Sequence, residues 1–233
     1  MSGRIIGLIV AAMVITGALG GGVILLTRRT PTPTAPPAPI KDEPKSDTPT
    51  TTTNEPTISS NSILSADTAK AAEDSKKRFA SAMDKIKQWS LWKPDAQFSG
   101  LFMSFGPTLL LDSANEVYVF DSPSDQDHHY TVSVAQSSGN ILRAYIPLAD
   151  YQGALLPIKP EYWQSNYVEA VQFTYNNGGK EFMAANTTTG VDVSLIRATP
   201  NNYLYWVVTY NTKDPSVTLA VKMDAKDKTL VKD

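Results

Sequence analysis

The chain has 233 residues, no cysteine, 21 Lys and Arg against 23 Asp and Glu, and a formal net charge of −2. Without thiols there are no disulfides, thiolate metal sites, cysteine nucleophiles or lipidated cysteine anchors. The near-neutral balance lacks the basic footprint of a nucleic-acid binder, so no nucleic-acid partner is assigned.

Residues 1–4 form a short tail, and 5–27 is an uncharged run, IIGLIVAAMVITGALGGGVILLT. As a helix at about 1.5 Å per residue it reaches roughly 35 Å, enough to cross a hydrocarbon core of about 30 Å. The segment reads as a single-pass transmembrane helix whose partner is the lipid bilayer. A cleaved signal peptide is the rival reading, with Arg4 as the charged end and Ala18-Leu19-Gly20 as the small-x-small site. Apolarity resumes at Val23-Ile24-Leu25-Leu26, which favours a retained anchor. Gly17 and Gly21 stand at the GxxxG spacing that permits close helix packing. Arg28 and Arg29 outweigh Arg4, which by flanking charge slightly favours a cytoplasmic C-terminus. Long domains translocate largely regardless of such charges, and the next segment suits a surface spacer, so the C-terminal domain is placed outside the cell membrane.

Residues 28–64 are dominated by Pro and Thr. Such a stretch buries too little apolar surface to offset its ordering entropy and reads as a disordered linker. Extended as polyproline II, at about 3.1 Å per residue, it reaches roughly 100 Å.

The remainder reads as an α+β unit with antiparallel sheets and packed helices, divided into 65–150 and 151–233. A helix is expected from Asp67 to Trp89, with Ser65 as N-cap and Ala72, Phe79, Met83, Ile86 and Trp89 on one face. Pro94 prevents continuation. Strands are expected at Ala96–Phe105, Glu116–Phe120 and His129–Ala135, with Tyr130, Val132 and Val134 sharing a face. Ser137-Ser138-Gly139-Asn140 marks a turn before Ile141-Leu142. A second helix runs from Ser165 to Thr174 and stops at Asn176-Asn177-Gly178-Gly179, with a further helical turn at Lys180–Ala185. Strands resume at Val191–Ile196, Tyr203–Thr212 and Val217–Met223. The order helix, three strands, helix, three strands suggests an internal duplication of one helix-plus-three-strand unit.

Two histidines, His128 and His129, follow Asp125 and Asp127. Neighbouring strand residues point to opposite faces, so the pair is read as a solvated hairpin loop rather than a metal site. Ser90-Leu91-Trp92-Lys93 matches S-x-x-K, but S-D-N and K-T-G are missing, so it reads as a frayed helix end. Tyr203, Tyr205, Trp206 and Tyr210 are the residues of a glycan platform, yet both strand faces are apolar, which favours a central core strand. Asn186-Thr187-Thr188 is an N-glycosylation sequon.

Tyr205-Trp206-Val207-Val208-Thr209-Tyr210, a polar turn, then Val217 through Lys222-Met223-Asp224-Ala225 resemble the closing hairpin of a PepSY-type domain. The Asp-Ala pair is kept, while the family's following Thr-Gly is replaced by Lys226-Asp227-Lys228. Ser165 with Val168-Glu169-Ala170, then Gly178-Gly179-Lys180-Glu181-Phe182, resemble the preceding helix and glycine pair. Trp92-Lys93-Pro94-Asp95-Ala96, Tyr118–Phe120, Tyr130–Val134 and Gly139-Asn140-Ile141-Leu142 repeat the order more loosely. The resemblance implies two degenerate PepSY-like repeats forming a non-enzymatic envelope module that modulates a peptidase or binds an envelope protein. No catalytic, cofactor-binding or metal-ligating residue is assigned, and no cofactor is expected. The alternatives are a structural envelope protein that binds wall polymer or glycan, and a weak metal-dependent enzyme centred on Asp127 and His128.

Overall fold

Antiparallel hairpins account for most of the chain beyond residue 60. The computed structural model describes residues 61–148, 155–198 and 201–231. The apolar run 5–27 and the Pro/Thr stretch through residue 60 lie outside the described residues. No helix among the described residues is long and apolar enough to cross a membrane.

The folded unit begins earlier than a linker boundary at residue 64 allows. Ile63 is fully buried, and its N–H donates to the Leu109 carbonyl at 2.8 Å. The Gln172 amide nitrogen donates to the carbonyls of Ile63 at 2.9 Å and Ala66 at 3.0 Å. One large apolar side chain with backbone partners overrides the polar composition around it.

Helix α1 spans Thr68–Lys87. Asp67, not Ser65, is its N-cap, accepting from the N–H groups of Ala69 at 2.8 Å and Lys70 at 3.1 Å. Ser65 instead closes the short 3-10 turn Ile63–Ser65. Ala71, Ser75, Ala82 and Ile86 form the buried stripe, with Phe79, Met83 and Trp89 packed at its rim. The inward face is thus rotated from Ala72 toward Ala71.

Eight strands form one antiparallel sheet: β1 Gln97–Phe105, β2 Asn115–Ser122, β3 Asp125–Ala135, β4 Ile141–Pro147, β5 Thr188–Ala198, β6 Tyr203–Thr212, β7 Thr218–Asp224 and β8 Leu230–Val231. Their order is β4-β3-β2-β1-β5-β6-β7-β8. β1 and β5 therefore meet at the centre, with Met103 opposite Val193, and each half of the chain runs outward from that joint. Each half holds four strands, one more than the sequence pattern suggests. The additions are the two edges: β4, whose burial alternates weakly, and the two-residue β8.

Helix α2, Tyr167–Thr174, opens on a capping box. Asn166 Oδ1 accepts from the Val168 and Glu169 N–H groups at 2.9 and 3.1 Å, and Glu169 accepts from the Asn166 N–H at 2.9 Å. A kink over 175–179 separates it from α3, Lys180–Ala185. Gly178 takes φ 117°, which a side chain disfavours, and a Cβ at Gly179 would overlap the buried Tyr210 phenol.

Helices α1, α2 and α3 pack on one face of the sheet. Leu101, Met103, Phe105, Tyr118, Phe120, Tyr130, Val132, Val193, Leu195, Trp206, Val208 and Tyr210 form that core with Ile86, Tyr167, Val168 and Val171. The opposite face carries Phe102, Val119, Tyr205 and Val207 among buried Thr131, Asp192, Ser194 and Thr209. β6 is buried on both sides from Leu204 to Tyr210, as expected of a core strand, and only Tyr203 in that aromatic run is open, at 61% exposure.

Candidate functional site

The segment read as a solvated loop is instead the first part of β3, and His129 is fully buried. The turn is shorter than the local polarity suggests, because Asp95 ties it down. Its carboxylate accepts from Ser122 Oγ at 2.6 Å and from Ser124 N–H and Oγ, both at 2.9 Å. Strand alternation then sends the two histidines to opposite faces, as their adjacency requires.

On the helix side, Asp125 gathers three donors from two strands. Tyr145 Oη donates to it at 2.5 Å, Tyr130 Oη at 2.7 Å and His128 Nδ1 at 3.2 Å. The His128 ring lies 4.0 Å from the Tyr145 ring at 14°. Trp89 and Trp92 pack edge-on against Tyr130. The Tyr145 hydrogen bond, then that of Tyr130, holds the Asp125 carboxyl down to about 2. Tyr130 is raised by burial and by the same carboxylate. Asp125 is thus an acceptor shared by three side chains of β3 and β4 and orients them.

This has a measurable consequence. A carboxyl at 3.8 in the unfolded chain and about 2 in the fold binds fewer protons when folded, so its stabilisation is complete above 3.8 and is lost as pH falls toward 2. Chemical denaturation of wild type and Asp125→Asn should therefore show a stability gap that is constant above pH 5 and narrows between pH 4 and 2. A gap independent of pH would contradict the assignment.

A second cluster lies beneath α1. Glu116 is fully buried and points to the same side of β2 as the inward Tyr118 and Phe120. It accepts from Arg78 Nε at 2.8 Å and Nη2 at 2.7 Å, from Gln136 Nε2 at 3.1 Å, and from Tyr118 Oη. The Arg78 guanidinium is raised further by this carboxylate, against an opposing burial effect. Burial pushes the nearby Tyr167 phenol up to about 12. Arg78, Gln136 and Tyr167 form the floor of a half-open cleft of about 230 Å³, rimmed by Asn61, Asp67, Lys70, Asp74 and Asp112. That volume falls below the roughly 300–1,000 Å³ of ordinary small-molecule sites.

On the opposite face, His129 pairs with Asp121 across the β2–β3 ladder. Farther along, Asp192 accepts from Ser104 Oγ at 2.8 Å and Asn211 Nδ2 at 2.6 Å, and burial raises its carboxyl. Asp127 is exposed. Among the described residues no three or more His, Asp or Glu side chains converge as a metal site. Ser90 and Lys93 of the S-x-x-K match are both exposed beyond the end of α1. Asn186 of the sequon caps α3, its amide nitrogen donating to the Phe182 carbonyl at 3.0 Å.

No family model, curated protein or solved structure matches this chain.

Proposed function

We propose that the chain is a single-pass membrane protein that holds a non-catalytic binding or regulatory module outside the membrane on a Pro/Thr tether. Its folded part would consist of two degenerate PepSY-like halves, 65–150 and 151–233, each a helix followed by outward-running hairpins. One observation carries the reading: the sheet order β4-β3-β2-β1-β5-β6-β7-β8 is the same when read outward from the β1–β5 joint in either direction, with α1 preceding one half and α2 the other. Duplication explains that order economically. The acid–base groups add support, since Glu116 and Asp125 are spent on holding their neighbours in place. The partner fitting this reading is an envelope protein, a peptidase above all.

The test is functional. The purified full chain should hydrolyse neither peptides nor glycans, while capture from solubilised membranes should bring down a peptidase whose turnover changes when the chain is added. Hydrolysis by the chain that is abolished by Asp125→Asn or Glu116→Gln would overturn the proposal.

A further inference from the structure

The two edges of the sheet are built differently. β8 has two residues, follows Lys226 and Lys228 and pairs with only Lys222 and Met223 of β7, so this edge is stepped and flanked by charge, as protected edges are. β4 has seven, ILRAYIP, with one charge, and no described strand pairs with its outer side. Leu142 on it is 63% exposed, the most exposed large apolar residue described.

The hydrogen-bond parity of β4 follows from its neighbour. The Ala135 N–H donates to the Asn140 carbonyl at 2.9 Å, so Ser133, Thr131 and His129 also turn their backbone groups toward β4. Their partners Leu142, Ala144 and Ile146 point back. Ile141, Arg143 and Tyr145 therefore aim their N–H and C=O groups outward, and Pro147, next in that series, has no N–H and ends it.

We infer that this edge pairs with β4 of a second copy, antiparallel about a two-fold axis through Ala144. The inference rests on the binding-module reading and names one partner for it. The self-complementarity of the strand argues for a second copy. About that axis Arg143 stands opposite Tyr145 of the other copy, never opposite another Arg143, so no like charges meet. Arg143 and Tyr145 become the hydrogen-bonded pairs, using the backbone groups now left outward. On the opposite face Leu142 meets Ile146, which covers the exposed leucine. The helices of both copies stay on one side, and the joint repeats the antiparallel geometry of β1 with β5.

A seven-residue joint buries less than the roughly 1,200 Å² of a standard interface, so it is weak in dilute solution and is best read by covalent trapping. The chain has no cysteine of its own, which removes background. Facing Ala144 positions form a non-hydrogen-bonded pair with Cα atoms about 4.5 Å apart, within disulfide range. Facing copies of Leu142 are four residues out of register, about 14 Å apart. The full chain carrying Ala144→Cys should form a disulfide dimer under mild oxidation, and Leu142→Cys should not, although it is more exposed. Leu142→Cys combined with Ile146→Cys should cross-link again. Arg143→Pro removes an outward N–H, along with the guanidinium's hydrogen bond to the Lys85 carbonyl and its contact over the Trp89 ring, and should cut trapping of Ala144→Cys at least tenfold. Arg143→Ala loses those side-chain contacts but keeps the N–H, and should trap as the parent does. Thermal melting should show the fold retained in both.

Equal trapping of Ala144→Cys and Leu142→Cys, or trapping that survives Arg143→Pro, overturns the inference. So does a purely monomeric Ala144→Cys. If that monomer still captures a peptidase, self-pairing fails and the binding-module reading stands.

Discussion

Arg78→Ala is expected to destabilise the folded unit by about 3–5 kcal/mol, because it leaves a buried carboxylate without its counter-charge. Glu116 is fully buried, and both Arg78 contacts fall on its Oε1 at 2.7 and 2.8 Å. Gln136 and the Tyr118 hydroxyl remain as partners, but neither carries charge. The melting temperature should fall on the order of 10 °C for a unit of this size. Glu116→Gln keeps the shape and removes the buried charge, so its cost should be smaller. Arg78→Met with Glu116→Leu should recover most of the loss, since apolar replacement of a whole buried pair is often neutral. If Arg78→Ala costs under about 1 kcal/mol, the pair behaves as an exposed one and the burial assigned to it is wrong.

Trp206→Ala should cost about 3–5 kcal/mol as a large cavity opens in the core. Trp206 is fully buried on β6 between Leu195 of β5 and Met223 of β7. It also starts a hydrogen-bond chain. Its Nε1 donates to Ser165 Oγ at 3.0 Å, and Ser165 Oγ donates to the Ala225 carbonyl at 2.7 Å. The entry to α2 and the end of β7 are thereby fixed to the same strand. Ser165→Ala removes little volume but strands the indole N–H, at about 1–3 kcal/mol. In urea titrations both variants should shift the midpoint without changing the slope. An unchanged midpoint for Trp206→Ala would place that ring outside the core.

Local pattern made much of this fold readable. The alternation of Val217, Leu219, Val221 and Met223 anticipates β7, and the double-sided apolarity of Tyr203–Thr212 anticipates a core strand. Asn176-Asn177-Gly178-Gly179 marks the kink because Gly178 needs a positive φ. Pairing across long separations was less visible. Nothing local tells that β1 and β5 meet, since strand order is a tertiary choice. Arg78 and Glu116 are 38 residues apart. One signal was present: Glu116 stands in phase with the inward Tyr118 and Phe120, and a charge in a buried period calls for a buried partner. The region of His128 and His129 reads as a loop because Asp125-Gln126-Asp127 is polar, whereas the Asp125 cluster and Asp95 fold that polarity into β3. Ile63 joins the core because its neighbours across the chain, Leu109 and Gln172, are invisible to composition.

The tethered-module account is tested most directly by protease treatment of intact cells expressing the full chain, followed by fractionation. It predicts cleavage between residues 28 and 60, release of a folded fragment containing residues 61–231, and a remnant that stays with membranes after alkaline washing. Full-length, protected chain in the soluble cytosolic fraction would contradict it.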